Sequence, residues 1–542
     1  MRRSVFALTA ASVLTIALAQ PAWAVGPGGW SHVGNGGTPA TSSLNSVVTA
    51  LNSDNPGVLY VGGGFTDAGG HPNADRIAKW DGSAWSAIGG TPLSNGQVFA
   101  IAYHAGIVYI GGTFINAGGN PHADFLAAWN GTRWVSPCIS TGPHSAVTGN
   151  VNALQIIGNT LYIGGSFANG ADIEAADYLF GCDLTSRVAS PVVDSTVHAF
   201  AGAVYALTAD SNGTLYAGGG FTNLEGILQA DHVAEFLGGG IWQAMGTGPG
   251  QDGSSVSTFV RSLTAHGTDV YVGTDALNVG GLANADHVAK WDGSAWSALG
   301  SNTAGTNGWF SNATSYTIDA LDTYNSIVVA AGSFQDANGI ATADDLAYFD
   351  GTQWRPIGSN GAGNGPLSQN PTALAVTGGM LYVGGNFTSA GGDTLARDLA
   401  EHALRLPDAA IGATSAGHFA GDGVYSSTGA GEVRDVTINR GTSKDVFIKV
   451  QNDGLAAATF TIKGTGGATG ISDHYFLGGS NITAAVNAGT FSTSSIDPRG
   501  SVVLRLHIVV TNSSASHATF VTTARAQGGT PPDAVRASVT AN

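Results

Sequence analysis

Leu59-Tyr60-Val61-Gly62-Gly63-Gly64-Phe65 is the stretch that decides the fold, because the chain repeats it. It returns as Val108 to Phe114, Leu161 to Phe167, Leu215 to Phe221 and Leu381 to Phe387, and in weaker form as Val270 to Ala276 and Ile327 to Phe334. Taking Tyr60, Tyr109, Tyr162, Tyr216, Tyr271, Val329 and Tyr382 as equivalent, the spacings are 49, 53, 54, 55, 58 and 53 residues. Each unit carries four runs of strand character, in the first unit Val48 to Leu51, Leu59 to Gly63, Ile77 to Trp80 and Trp85 to Ile88. Asp81-Gly82 and Asn130-Gly131 supply the tight-turn chemistry that joins the third run to the fourth. Four antiparallel strands at this period predict an all-β, seven-bladed β-propeller. A stacked solenoid would show shorter repeats and dedicated end caps.

The two ends of the repeat region predict how the ring closes. The seventh unit reaches its third strand at Leu399-Ala400-Glu401-His402 and has no fourth. An orphan fourth strand, Trp30-Ser31-His32-Val33-Gly34, stands near the start and matches Trp85 to Gly89 and Trp296 to Gly300. Supplied to the seventh blade, it would complete that sheet and remove two exposed edges.

Working outward, residues 1–24 read as an export signal: Arg2 and Arg3, an apolar run from Val5 to Ala19, and the small-x-small site Ala22-Trp23-Ala24. The propeller takes 25–406 and a Gly/Ser/Ala-rich linker 407–430. Alternating runs such as Val433 to Ile438 and Val502 to Val510 predict an immunoglobulin-like β-sandwich over 431–542. With 81 glycines and 11% charged residues, the composition suits short strands and many turns. A net charge of −17 argues against nucleic acid and anionic lipid as partners. No further stretch reaches the length of a membrane span. The chain is thus expected to be secreted and extracellular, where Cys138 and Cys182 would pair; two buried thiols are the alternative.

The di-glycine after the second strand, with a Trp in the third and in the fourth strand (Gly62-Gly63, Trp80, Trp85), resembles kelch-type propeller repeats. The "LYVGGxFTxAGG…IAxWDG…WSALG" pattern is similar to repeats of bacterial secreted proteins. That resemblance covers about 30 to 406 and implies a fold, with little about activity. Galactose oxidase also joins such a propeller to an immunoglobulin-like domain. Its copper chemistry needs a linked Tyr and Cys, and neither cysteine here is placed for that link, so no cofactor is expected.

Residues present in most units hold up the units, whereas a site must depart from the pattern. The in-phase tryptophans are read as core. Asp75, Asp124, Asp177, Asp231, Asp286 and Asp344 recur before the third strand and are read as loop caps rather than metal ligands. The face bearing the long second-to-third loops is the expected recognition face. On it the second position of the innermost strand varies as Thr49, Phe99, Asn152, Tyr205, Arg261, Asp319 and Thr372, which marks either a channel mouth or packing between blades. Trp309, Phe310 and Tyr316 form either a sugar-stacking patch or a local plug; His71, His122, His232 and His287 lie on the loops.

These departures predict a recognition protein that binds a polysaccharide or a cell-surface partner, with Trp309, Tyr316, Phe99, Asn152 and Arg261 as ligand contacts. The competing expectation is a polysaccharide lyase or glycoside hydrolase. A lyase would use Arg261 to neutralise a uronate and Tyr205 or His232 to move the proton; a hydrolase would pair Asp319 with Glu225 or Glu174.

Overall fold

A computed structural model describes residues 29–542, apart from 37–40, 56, 140–144, 195–199, 311–315, 325–326, 422–423, 425 and 527–531. The expected signal segment lies outside the described residues.

The repeats build seven four-stranded antiparallel sheets. The first runs Val48–Asn52, Leu59–Gly63, Ile77–Trp80 and Trp85–Ala87, in sequence order from one edge to the other. Its last hairpin turns at Asp81-Gly82: Gly82 takes φ 89°, and Asp81 Oδ1 accepts the Ser83 and Ala84 amides at 2.9 and 2.8 Å. The Ser83 hydroxyl adds a third bond and, with those amides, holds the Asp81 carboxyl below its usual range. Asp292 and Asp350 close the fifth and sixth sheets in the same way.

Successive sheets touch through their first strands, and Pro371–Thr377 of the seventh touches Val48–Asn52 of the first. The second-strand glycines permit this approach. A Cβ on Gly62 would stand 2.7 Å from Val98 in the next sheet, and one on Gly384 only 2.4 Å from Val48. Each fourth-strand indole of Trp85, Trp242, Trp296 and Trp354 also donates to a carbonyl of the preceding unit, at Val33, Val192, Met245 and Leu299. The outer strand of the seventh sheet is Trp30–His32, antiparallel to Leu399–Ala403 in the register Trp30 to His402 and His32 to Ala400.

Cys138 and Cys182 form a disulfide. Closing that loop contributes about 4 kcal/mol in the chain-entropy picture. Cys182 lies opposite Leu161, in the register that Trp80 holds opposite Leu59 in the first sheet.

The C-terminal part folds as a six-stranded and a five-stranded sheet around one apolar core that includes Ile448, Phe460, Tyr475, Leu504 and Val539. Val433–Ile438 pairs in parallel with Asp533–Ala541. The expected linker 407–430 is corrected at its start: Pro407–Gly412 is a buried strand antiparallel to Ser443–Asn452. Ala409 and Ile411 alternate into the core, so a run poor in bulky residues is held by its partners rather than by its own propensity. This part also bonds directly to the seventh unit, through Asp453 N to Leu406 O and Ala456 N to Leu404 O at 2.8 Å each.

Candidate functional site

In every one of the seven sheets the pairing of the first strand slips by one residue at the same place, for example between Val204 and Ala206 and between Val260 and Ser262. The extra residue of such a bulge has no partner across the ladder, and its side chain is re-aimed. The seven bulged residues are Thr49, Phe99, Asn152, Tyr205, Arg261, Asp319 and Thr372, the positions that vary in the sequence.

Three of them serve the scaffold. Thr49 donates to Val98 O at 2.6 Å, Asn152 to Val204 O at 3.1 Å and Thr372 to Val48 O at 2.8 Å, each reaching the next sheet. Phe99 is half-buried.

The fourth to sixth sheets differ. Arg261 makes a bidentate pair with Asp275, Nε to Oδ1 at 2.6 Å and Nη2 to Oδ2 at 2.7 Å, and its Nε lies 3.9 Å from Asp319 Oδ1. Thr317 donates to Asp319 Oδ2 at 3.0 Å and bonds Ser333. The Asp275 bond raises the Arg261 pKa above its ordinary value, while burial pushes the Asp319 carboxyl up against the Thr317 bond and the Arg261 charge. Beside this cluster Tyr205 is 39% exposed and Phe259 43% exposed, edge to face at 6.3 Å, and the His232 ring meets Phe259 at 6.0 Å. Burial lowers the His232 pKa, favouring the neutral imidazole. Tyr205, Arg261, Asp319 and His232 therefore belong to one neighbourhood, and Phe259, absent from the sequence candidates, joins them.

Trp309 and Tyr316 do not belong to it. Both are buried with Phe310, packed against Trp354 and Phe334, and the Tyr316 hydroxyl donates to Gln335 O. Their expected role as ligand contacts is corrected to that of a plug, because the interior of the sixth sheet takes up their apolar surface. Glu225 is spent on the Asp194 amide at 2.8 Å, and Glu174 stands exposed on a loop of the third sheet. His71 and His122 are exposed and His287 is buried.

The recurrent aspartates close their loops. Each accepts the amide eight residues back, from Asp67 to Asp75 at 2.9 Å through Asn223 to Asp231 at 2.6 Å to Asp336 to Asp344 at 2.6 Å. The residue after this position is left-handed in all seven units: Arg76, Phe125, Tyr178, His232, His287, Asp345 and Asp398, with φ between 60° and 65°. Such backbone is costly for residues other than glycine. These seven residues form a second set of variable positions, with no shared residue type to mark them in the sequence.

A cavity of about 670 Å³ opens at the other end of the first strands, lined from all seven sheets by Leu51, Ile101, Leu154, Leu207, Leu263, Leu321 and Leu374 among others. Asp322 also lines it; burial pushes its carboxyl to about 7, against a 2.7 Å bond from the Thr323 amide. Its signal in the sequence is an acid in a phase otherwise held by Asn52, Ala102, Gln155, Thr208, Thr264 and Ala375. Among the described residues, no group of three or more His, Cys, Asp or Glu side chains stands ready to hold a metal, and no helix is long and apolar enough to cross a membrane.

No family model matches the chain, and no curated protein matches it. Solved structures similar to part of it include a family 123 glycoside hydrolase from Clostridium perfringens, at 8% identity and a TM-score of 0.18, over 25% of this chain and 27% of that one. The chain thus spans about a quarter of that enzyme's length. The CARDB domain of a Pyrococcus furiosus protein in complex with di-metal ions matches at 9% identity and TM-score 0.15, over 26% of this chain and 90% of that one. A FixG-related protein from Vibrio parahaemolyticus matches at 8% and 0.16, over 26% and 97%. Likeness at these scores carries no argument about fold or activity.

Proposed function

We propose that the chain is a secreted glycan-recognition protein: a seven-bladed β-propeller of kelch-like repeats, closed by its N-terminal strand and followed by an immunoglobulin-like sandwich. The seven sheets in closed succession support the architecture. One observation carries the binding reading: the exposed rings of Tyr205 and Phe259 stand beside the fixed donors and acceptors of Arg261, Asp275 and Asp319. An aromatic ring offers an apolar surface to the C–H face of a sugar, and an oriented guanidinium–carboxylate pair meets its hydroxyls in both senses.

The competing reading, a polysaccharide-active enzyme, draws on Asp319, a carboxyl raised by burial within this cluster. A lyase would need Arg261 to neutralise a substrate carboxylate, yet that charge is already matched by Asp275. The test is retention of the labelled full-length protein on a glycan array, alongside incubation with a polysaccharide panel. Retention without turnover is the expected result. New reducing ends or unsaturated products would overturn it in favour of the enzyme, and absence of both retention and products would remove both.

A further inference from the structure

A second cavity, of about 720 Å³, opens beside the outer strand Trp134–Val135 of the second sheet. That size falls within the span of small-molecule sites, roughly 300–1,000 Å³. It is lined by Arg133, from the turn before that strand, and by Arg187, from the last hairpin of the third sheet, together with His122, Trp129 and Ile139.

The charge of this cavity is out of keeping with the chain. The protein carries 37 acids against 20 Lys and Arg. Yet no carboxylate lines the cavity, and among the described residues neither Arg133 nor Arg187 joins an ion pair. The second unit departs from the others to reach that state. Where the first, fifth and sixth units turn at Asp81, Asp292 and Asp350, the second turns at Asn130; where they place Ala84, Ala295 and Gln353 before the fourth-strand tryptophan, it places Arg133. Asn130 Oδ1 still accepts the Thr132 and Arg133 amides at 3.1 and 3.0 Å, so the turn is kept while an acid is lost and a cation gained. Arg187 is held from behind: its Nη2 donates to Ser136 O at 2.5 Å and its Nε to Pro137 O at 3.3 Å, just before the disulfide-bonded Cys138. Those two bonds fix the guanidinium plane and leave Nη1 to donate elsewhere. Trp129 departs as well, being half-buried where its counterparts Trp80 and Trp291 are 3% and 4% exposed. An uncovered indole beside two unpaired guanidinium groups fits a ring that carries an anion.

We propose that this cavity binds the uronate residues of an acidic glycan, with Arg133 and Arg187 meeting the carboxylate and Trp129 the C–H face of the sugar ring. The site rests on the glycan reading and adds to it a second, acid-selective place on an outer strand, whereas Tyr205 and Arg261 sit on the innermost strands of the fourth and fifth sheets.

The test is calorimetric titration of the full-length protein with galacturonate and glucuronate trisaccharides, each beside its methyl ester, which keeps the ring and cancels the charge. At least one free acid is expected to bind about tenfold tighter than its ester. The sixth unit keeps the same turn with Gln353 in this place, so Arg133→Gln should fold. It should bring the acid down to the level of the ester and leave retention of neutral glycans on the array as in wild type. Equal binding of acid and ester in both series, no binding of either acid, or a preference that survives Arg133→Gln would overturn the site. Neutral glycans retained alongside such a result would leave the Tyr205 reading standing. Uronate binding that depends on Arg133, with no neutral glycan retained, would remove that reading and keep this site.

Discussion

Arg261 and Asp275 face each other in a parallel, two-bond clasp of 2.6 and 2.7 Å at the bulge of the fifth sheet, with Asp319 of the next sheet 3.9 Å from the same nitrogen. One cation thus stands between two acids, and the local surface is net negative. Exposed ion pairs contribute only about 0–1 kcal/mol to stability, so the clasp adds little to the fold, and under the proposed glycan reading its part would be selectivity. Asp275→Asn is expected to leave the melting temperature nearly unchanged while shifting array retention from neutral toward acidic glycans. Retention that keeps the wild-type order would count against the clasp as a selectivity element.

Tyr205 and Phe259 are the exposed rings next to it. Truncating a ring that stacks on a ligand removes about 1–2 kcal/mol, so Tyr205→Ala and Phe259→Ala should each weaken glycan binding about tenfold. Neither ring is part of the buried core, and both variants should melt like the parent. Calorimetric titration with a retained oligosaccharide measures this. Trp309→Ala should behave oppositely, lowering stability because its ring is buried against Trp354.

Trp30 is fully buried, edge-on to His402 with ring centres 5.1 Å apart, and packs with Leu404 and Leu455. Trp30→Ala removes a large core ring and should cost about 3–5 kcal/mol in chemical denaturation. Because Leu455 belongs to the C-terminal part, the loss should also loosen the junction between the two parts. Faster proteolysis near Arg405 would report it.

The same strand carries a pH dependence. His32 Nδ1 bonds Asp393 Oδ2 at 2.7 Å, and this bond raises the His32 pKa above 6.5 despite burial. Burial pushes Asp393 up, but the bonds from His32 and the Leu395 and Ala396 amides outweigh it and hold the carboxyl below 3.8. Glu401, one position along, is pushed by burial to about 7 against bonds from Ser31 and Tyr382. A raised histidine stabilises fully below 6.5 and stops doing so as pH rises through its folded value; a lowered aspartate loses its contribution as pH falls through its folded value. The melting-temperature gap between wild type and His32→Gln should therefore be widest near pH 5 and shrink as the pH rises past 6.5 through the raised His32 value. A gap constant across that range would dismiss the pair as a stabilising contact.

Local patterns repeated many times were readable; singular long-range packing was not. The period of the Tyr-Val-Gly-Gly runs, the Asp-Gly turns and the orphan Trp30 strand each restate one physical constraint, so chance agreement averages out. The recurrent aspartates were readable as caps for the same reason. Pro407–Gly412 reads as linker because its small residues carry little strand propensity, and only the neighbouring Ser443–Asn452 makes it a strand. Trp309 and Tyr316 misled because aromatic identity is silent about exposure. Phe259 carries no signal in the sequence, since it precedes Val260 and falls outside the varying phase. The left-handed set from Arg76 to Asp398 was invisible because the loop, rather than the residue type, imposes that backbone.

The pairing of Trp30–His32 with Leu399–Ala403 puts a clock on biosynthesis. The first of these segments leaves the ribosome early, and its mate is added only after some 370 further residues, a delay of roughly 20–70 s at ordinary elongation speeds. Throughout that interval the nascent chain displays an unsatisfied strand edge and an uncovered indole, both attractive to holdases and to sibling chains. A message truncated before codon 399 would leave the edge open for good, because no copy of its product carries the strand that covers it, and that edge would stay available to pair with other chains.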